Sequence, residues 1–236
     1  MTKPTLALLP GLICDAALWS NQIAALGEDV DIVVPDLSRH DGIAALARAV
    51  LAELPESFSL AGFSMGGYVA LEIMRQAPAR VERLALISTS ARADTDRQAR
   101  RRRGLIALSS RGKFKGVTPR LLPRLLHPSR LQDRSLIETV EAMASRIGRD
   151  GFINQQRAIL GRADSREMLS TIACPTLVVH GREDQMAPLV LSEEIVATIP
   201  GAELVSLDGC GHLVPLERPE EISSAMSRWM FDKKID

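Results

Sequence analysis

The sequence predicts an α/β protein with an open, doubly wound, mostly parallel sheet of about six strands and a helical lid insertion. Three observations lead to this prediction. Short apolar runs without polar alternation recur along the chain, as is typical of parallel strands covered on both faces. Stretches with helical periodicity separate these runs. Between residues 91 and 165 the strand-like runs stop, and only helical patterning remains.

Each apolar run is a predicted strand, and each periodic stretch is a predicted helix. Strands are expected at residues 5–9, 31–34, 58–61, 84–88, 176–180 and 203–207. Helices are expected up to Leu26 after an Asp15 cap, up to Leu54 after an Asp41 cap, and over residues 65–76, 188–199 and 219–231. Ligands of such a sheet bind beyond the carboxyl ends of the strands, so chemistry is expected there.

The length of 236 residues suits one domain with an insertion. We expect residues 1–90 and 166–236 to form the α/β core, and residues 91–165 to form a cap. The cap segment holds 17 Lys and Arg against 7 Asp and Glu, although the whole chain holds 29 of each. We expect this basic segment to cover the carboxyl ends of the strands as a lid and to contribute little to the sheet core.

Composition excludes several classes of protein. The equal charge totals and an aromatic content of 3% argue against a nucleic-acid partner. No apolar run approaches the roughly 18 residues that a membrane span needs. Cys14, Cys174 and Cys210 are widely spaced and fit neither a metal site nor a disulfide framework. Reduced thiols of this kind are typical of a cytoplasmic protein.

The most informative motif is Gly-Phe-Ser-Met-Gly at residues 62–66, which reads G-x-S-x-G between a predicted strand and a predicted helix. Such a turn strains the backbone of Ser64 and lifts its hydroxyl above the sheet edge. The N-terminus of the following helix favours a developing oxyanion. A chance glycine-rich turn is the alternative. The strand, the helix and the additional Gly67 favour a catalytic nucleophile.

A serine nucleophile needs an oriented base. His212 follows the last predicted strand in a glycine-rich loop, so it is expected at the same sheet edge as Ser64. A surface loop histidine is the alternative. His180 lies at a strand end and has the position of a buried core histidine.

The orienting acid should also follow a strand. Residues 181–188 come directly after the fifth predicted strand and supply Glu183 and Asp184. We select Asp184 because it lies nearer the next helix and Gly181 gives it room to turn back over the sheet. Glu183 and Asp94 remain the alternatives. The order serine, acid, histidine is the one described for α/β-hydrolases.

An oxyanion hole needs two N–H groups near the nucleophile. The Met65 N–H at the start of the predicted helix is one candidate. The Leu12 N–H is the other, since Gly11 lets the first strand turn and Pro10 has no N–H to offer. Three apolar residues, Trp19, Met143 and Phe152, are candidates for the acyl pocket, although apolar residues in helices more often belong to the core.

These motifs together resemble the α/β-hydrolase superfamily. Gly11-Leu12, the 62–67 turn, Asp184 and the 209–212 loop occur in that family's order, and the insertion lies where the family has its variable lid. The resemblance covers the chain apart from the insertion. It is strongest to small cytoplasmic bacterial carboxylesterases, enol-lactonases and acyl-carrier-protein methyl ester esterases.

The resemblance implies a serine hydrolase that cleaves an ester, thioester or lactone of a small or medium acyl substrate, with no cofactor and no metal. A carbon–carbon bond hydrolase or lyase with the same triad is an alternative, and a non-catalytic binder of the same fold is another. The basic cap suits an anionic substrate or an acidic carrier protein. The arginine run at residues 100–103, however, is more typical of a solvated helix face. The chain is expected to be a monomer or homodimer.

Overall fold

A computed structural model describes residues 3–112 and 114–231. Six strands form one sheet in the order β2-β1-β3-β4-β5-β6, and every neighbouring pair is parallel. The strands are β1 (Thr5–Leu9), β2 (Asp31–Val33), β3 (Phe58–Phe63), β4 (Val81–Ile87), β5 (Thr176–Gly181) and β6 (Glu203–Leu207). The predicted fold class is therefore confirmed.

Helices connect the strands and cover both faces of the sheet. They are α1 (Ser20–Leu26), α2 (Ile43–Glu53), α3 (Met65–Gln76), α4 (Asp96–Arg111), α5 (Leu122–Leu125), α6 (Arg134–Leu160), α7 (Arg166–Leu169), α8 (Val190–Thr198), α9 (Val214–Glu217) and α10 (Pro219–Phe231). Single 3₁₀ turns lie at Ala16–Trp19, Pro78–Arg80 and Pro128–Arg130. Within residues 3–112 and 114–231, no helix combines the length and the apolar character that a bilayer crossing requires.

Alternating side chains of the strands supply two hydrophobic cores. In β1, Leu6 and Leu8 belong to one buried cluster, whereas Ala7 and Leu9 belong to the other. This alternation follows from the two-residue period of a strand, which points successive side chains to opposite faces. Because helices cover both faces, each strand reads as a continuous apolar run.

Helix starts differ from the prediction at three places, one of which is α8, which begins at Val190 and not at residue 188. Asp15 accepts a hydrogen bond from the Ala17 N–H at 2.9 Å, but it caps the 3₁₀ turn that precedes α1. Asp41 caps nothing, because α2 begins one residue later than expected, with Gly42 at the N-cap position. Helices α3 and α10 have the predicted bounds, and β3 extends two residues further, up to Phe63.

The described residues of the insertion between β4 and β5, 91–112 and 114–165, form the helices α4, α5 and α6 joined by turns and loops, and they contain no strand. The path of α6 bends at Gly148, whose φ of 68° lies in the left-handed region that glycine tolerates. The expectation that this segment adds little to the core is wrong. Met143 packs into the same buried cluster as Leu8, and Ile159 packs into the other, because α6 presents apolar faces to both.

Candidate active site

Ser64 occupies a strained turn between β3 and α3. Its backbone has φ 51° and ψ −110°, a region that costs a residue with a side chain roughly 1–3 kcal/mol. Two hydrogen bonds hold the turn, since the Ser64 N–H donates to the Ile87 carbonyl at 2.9 Å and the Thr89 hydroxyl donates to the Ser64 carbonyl at 2.8 Å. The strained conformation therefore persists because β4 and the loop after it hold both the N–H and the carbonyl of Ser64.

Glycines make this turn sterically possible. A Cβ on Gly62 would overlap the Gly66 carbonyl, and a Cβ on Gly66 would overlap the Leu9 carbonyl at the end of β1. Gly67 lies against the Thr89 side chain in the same way. The glycines of the motif therefore permit the close approach of β1, β3 and α3 that the sequence predicts.

Strained backbone is concentrated at this edge of the sheet. Ile13, Ser64 and Ser88 are the non-glycine residues with positive φ among those described, at 54°, 51° and 45°. Each follows the carboxyl end of a strand: β1, β3 or β4. Such clustering is typical of functional sites, where surrounding contacts over-determine the backbone.

His212 reaches Ser64 from the loop after β6. Its Nε2 lies 3.0 Å from Ser64 Oγ, and its ring packs against Phe63 with the ring centroids 5.0 Å apart. The His212 backbone N–H donates to the Leu125 carbonyl of the insertion at 2.9 Å. The imidazole is therefore fixed from two sides, by the strand before the nucleophile and by the insertion.

Asp184 lies behind the imidazole in the loop after β5. Its Oδ2 is 2.7 Å from His212 Nδ1, while its Oδ1 accepts hydrogen bonds from the Met186 N–H at 2.7 Å and the Ala187 N–H at 3.0 Å. Burial opposes the charge of this side chain, but the His212 ring and the two N–H groups outweigh burial and hold the pKa of Asp184 below its usual value.

The ionised carboxylate sets the tautomer of the histidine. A carboxylate only accepts hydrogen bonds, so His212 Nδ1 carries the proton that it donates to Asp184. In the neutral imidazole Nε2 then carries no proton and can accept a hydrogen bond from the Ser64 hydroxyl, 3.0 Å away. This is the arrangement that a general base requires.

The two alternative acids have other partners. Glu183 accepts a hydrogen bond from the Cys210 backbone N–H at 3.0 Å and so supports the loop that carries His212. Asp94 pairs with Arg102 and Arg162, both at 2.7 Å. Asp184 is the acid that the structure brings to His212.

The two expected oxyanion donors both lie at the wall of the cavity that contains Ser64. Within the part of the chain that the structure describes, neither the Leu12 N–H nor the Met65 N–H donates to a protein acceptor. The next N–H, that of Ile13, donates to Gln155 Oε1 of α6 at 2.9 Å. Sequence reasoning missed Gln155, a fully buried polar residue on an otherwise apolar helix face.

A cavity of about 130 Å³ opens onto Ser64 Oγ and His212. Its walls are mostly apolar, and the insertion contributes Arg102, Val117, Leu121, Leu125, Val140, Met143 and Ile159.

Of the three residues predicted for the acyl pocket, Met143 is at the wall of this cavity. Trp19 and Phe152 are not: Trp19 is fully buried in the core, and Phe152 packs against Phe114 with the ring centroids 5.2 Å apart. A helical pattern alone does not distinguish a core-facing aromatic from one that faces a cavity.

Glu217 is a second polar residue that sequence reasoning missed. Its buried carboxylate accepts hydrogen bonds from the N–H groups of Gly211 at 3.2 Å and Leu213 at 3.1 Å, on either side of His212, and of His127 in the insertion at 2.7 Å. Burial raises the pKa of this carboxyl despite the three donors. Glu217 thus joins the histidine loop to the insertion.

Comparison with known proteins agrees with this geometry. A family model described as the alpha/beta hydrolase family matches residues 6–225. The chain is 29% identical over 239 residues to a pimeloyl-acyl-carrier-protein methyl ester esterase of Aromatoleum aromaticum, covering 94% of this chain and 96% of that protein. It superposes on a thermophilic esterase of Thermogutta terrifontis, solved with malate bound, with a TM-score of 0.88 and 28% identity over 97% of this chain and 90% of the other. A hydrolase of Pseudomonas aeruginosa gives a TM-score of 0.86 at 28% identity, with the same coverage. The chain belongs to the alpha/beta hydrolase family.

Proposed function

We propose that this protein is a serine hydrolase that cleaves a carboxylic ester through a covalent acyl-enzyme. The observation that carries the proposal is the continuous line from Ser64 Oγ through His212 to Asp184, with separations of 3.0 and 2.7 Å, at the wall of an apolar cavity. Nucleophile, base and orienting acid are then in the roles that acyl transfer requires. The esterase relatives support the same reaction class.

The first half-reaction forms the acyl-enzyme. His212 Nε2 accepts the Ser64 proton as Oγ attacks the ester carbonyl, and Asp184 stabilises the imidazolium that results. The N–H groups of Leu12 and Met65 donate to the tetrahedral oxyanion, and the N-terminus of α3 adds its positive dipole end. His212 then protonates the leaving alcohol as the carbon–oxygen bond breaks.

The second half-reaction releases the acid. Water enters the position of the departed alcohol, gives a proton to His212 Nε2 and attacks the acyl carbonyl. The same N–H groups hold the second oxyanion. Collapse of this intermediate returns the proton to Ser64 Oγ and frees the carboxylic acid.

Residues 91–165 act in this proposal as a cap that selects the substrate, on a core made of residues 1–90 and 166–236. Seven cavity-lining residues come from the cap segment. Its excess of basic residues suits an acyl chain presented by an acidic carrier protein. The relative from Aromatoleum aromaticum, named as acting on an acyl-carrier-protein ester, supports this partner.

Labelling with a fluorophosphonate tests the nucleophile. The wild-type protein should carry the label on Ser64, and Ser64→Ala should remain unlabelled. Ser110→Ala is the matched control, because Ser110 is exposed on α4 and its hydroxyl donates only to the Ile106 carbonyl of the same helix. Labelling of Ser64→Ala at the wild-type rate would contradict the proposal.

A panel of p-nitrophenyl esters of increasing acyl length, run beside acyl-coenzyme A thioesters, tests the reaction. Hydrolysis should depend on Ser64 and should reach a maximum at the acyl length that fills the cavity. A protein that takes the fluorophosphonate label but hydrolyses neither esters nor thioesters would instead favour the carbon–carbon bond reaction. In that case the assignment of the triad would stand, and the proposal of ester hydrolysis would be wrong.

A further inference from the structure

Arg102 is an unexpected charge in an apolar cavity. It lies on α4, and its side chain lines the same cavity as Ser64 and His212. Among the described residues that line this cavity, Arg102 alone carries a permanent charge. Most of the other lining residues are apolar, and Val140 and Ile159 are examples. An apolar pocket with one placed charge is the usual form of a site that orients its ligand.

The guanidinium of Arg102 is held in a fixed orientation. Its Nε donates to Asp94 Oδ2 at 2.7 Å, and its Nη1 donates to Gln156 Oε1 at 2.9 Å. The side chains of Asp94 and Arg102 are 3% and 19% exposed, so the pair is mostly removed from water. Guanidinium has five N–H donors, and these two bonds leave the Nη2 group and one Nη1 hydrogen for another acceptor.

The charges around Arg102 do not balance. Arg162 Nη1 donates to the other oxygen of Asp94 at 2.7 Å, and its side chain is 6% exposed. Two guanidinium groups therefore share one carboxylate, and the cluster keeps a net charge of +1. The Arg162 guanidinium also lies 4.3 Å from the ring centroid of Tyr68, another cavity residue. An unbalanced charge in a partly buried site attracts an anion.

We propose that Arg102 forms an anion subsite of the acyl cavity and binds a carboxylate at the far end of the acyl group. The substrate class is then a dicarboxylic acid esterified at one end, which rests on the proposed ester hydrolysis at Ser64. A carrier protein that presents such a substrate is attached on the leaving-group side of the ester, so the carboxylate at the far end stays free. A planar carboxylate matches the free edge of the guanidinium, where two N–H groups point in parallel. Asp94, Gln156 and Arg162 position this edge without contacting the substrate.

Hydrolysis of matched substrate pairs tests the subsite. Each pair consists of the mono-p-nitrophenyl ester of a linear dicarboxylic acid and the p-nitrophenyl ester of the monocarboxylic acid of equal chain length. At the chain length that fits, wild type should favour the anionic member. Arg102→Gln should lower kcat/KM for that member about 10- to 100-fold, as expected for a lost charge-assisted hydrogen bond, and should change the neutral member much less. Arg102→Lys should recover part of the preference because it keeps the charge.

Arg97→Gln is the matched control, because Arg97 is exposed on the same helix and the substitution removes the same charge. It should leave the preference for the anionic ester at the wild-type value. An equal loss for both members of each pair in Arg102→Gln would overturn the proposal, and would reduce Arg102 to a tie between α4 and α6. The proposal would also be overturned if Arg97→Gln lost as much of the preference for the anionic ester as Arg102→Gln does. The effect would then come from the charge of the helix as a whole.

Binding to the inactive Ser64→Ala protein separates this proposal from the proposed reaction. Isothermal titration calorimetry should detect the monomethyl ester of the best dicarboxylic acid, and should detect the neutral dimethyl ester at least tenfold more weakly. Adding Arg102→Gln should remove that difference. A difference that persists in the double variant would overturn the anion subsite, whatever the outcome of the hydrolysis assays. Loss of hydrolysis with the binding difference intact would leave the subsite standing and overturn only the reaction.

Discussion

The Ile13 backbone N–H donates to Gln155 Oε1 at 2.9 Å, which ties the loop after β1 to helix α6 of the insertion. Ile13 has a φ of 54°, so its backbone needs such support. Its neighbour Leu12 carries one of the two proposed oxyanion donors. The precise position of the Leu12 N–H therefore depends on the insertion, because the hydrogen bond joins residues 142 positions apart in the sequence.

Gln155→Met should lower kcat for any ester substrate. Methionine fills a similar volume but accepts no strong hydrogen bond, so the loop that carries the Leu12 N–H would relax. Loss of a whole oxyanion donor costs about 10²- to 10³-fold in kcat, and an indirect effect should stay at or below the lower value. Asn154→Ala is the control, since Asn154 donates to the Ser38 carbonyl from the same helix without contacting the Ile13 loop. Equal kcat values for wild type and Gln155→Met would show that the loop holds its own conformation.

Asp184→Asn should lower kcat by about 10⁴-fold. The amide of asparagine can donate a hydrogen bond to His212 Nδ1, and this favours the tautomer that carries its proton on Nε2. In that tautomer Nε2 cannot accept the proton of Ser64. Glu183→Gln is the matched control in the neighbouring position and should have a small effect, because the amide oxygen can still accept from the Cys210 N–H. Steady-state kinetics on one p-nitrophenyl ester measures both. Near-normal turnover in Asp184→Asn would assign the orienting role to another acid.

His180 should make the stability of the fold pH-dependent. The imidazole is fully buried: its Nε2 donates to the Ala187 carbonyl at 2.8 Å, and its Nδ1 accepts from the Ser192 hydroxyl at 2.8 Å. Burial lowers its pKa below 6.5, although nearby Asp184 favours the charged form. As pH falls below about 6.5, the unfolded chain takes up a proton that the folded chain refuses, so the free energy of unfolding falls by up to ~1.4 kcal/mol per pH unit.

Urea unfolding at pH 7.5, 6.5 and 5.5 measures this slope. His180→Gln should flatten the slope over this range, whatever its overall stability, because the buried titrating group is gone. His40→Gln, at an exposed position, keeps the buried imidazole and serves as the control. Parallel pH curves for wild type and His180→Gln would contradict the prediction. Asp184, whose pKa lies below 3.8, contributes outside this window.

Glu217→Ala should destabilise the fold by roughly 3 kcal/mol, because about 1 kcal/mol is lost for each of two buried N–H groups and one part-buried N–H group left without an acceptor. Two of these groups flank His212, so kcat should fall as well. Glu220→Ala, an exposed residue in the first turn of α10, is the control and should change stability by less than about 0.5 kcal/mol. Chemical denaturation followed by circular dichroism gives the difference in stability. A destabilisation no larger than that of the control would mean that water replaces the carboxylate.

The exposed arginines of α4 should steer an acidic carrier protein. If they do, kcat/KM for a carrier-bound ester should fall as salt rises, because exposed charges are screened beyond about 8–10 Å at moderate ionic strength. Replacing Arg100, Arg101 and Arg103 with glutamine should flatten that dependence. A small neutral ester, assayed at the same salt concentrations, serves as the internal reference. An equal salt response in wild type and the triple variant would assign these side chains to a solvated helix face.

Much of the fold could be predicted from local patterns. The bounds of β1, α3 and α10 follow from apolar runs and helical periodicity that end at clear breaks, such as the segment before Pro78. The positions of Ser64, Asp184 and His212 follow from chain order and loop position, since parallel strands bring their carboxyl ends to one edge.

The remaining features depend on contacts that no local pattern encodes. Gln155 and Glu217 each lie in a helix and each have a partner far away in the sequence, Ile13 at 142 residues from Gln155 and His127 at 90 residues from Glu217. The only available signal was a polar residue within an apolar stretch. Arg102 differs from its neighbours on α4 because the 100° rotation per residue of a helix turns one side chain of the run toward the cavity while Arg101 and Arg103 stay exposed.

The Leu125 carbonyl accepts from the His212 N–H, and the His127 N–H donates to Glu217, which in turn holds the loop that carries His212. These bonds have a consequence for how this family could be recombined. The segment that carries Leu125 and His127 supports His212, the proposed catalytic base, even though it lies within the insertion by sequence. A chimera that exchanges the whole of residues 91–165 for the cap of a relative would import a foreign support for His212. Exchanging only α4 and α6 while keeping the native 117–131 stretch preserves that support. The better crossover points for swapping substrate preference therefore lie inside the insertion and not at its ends.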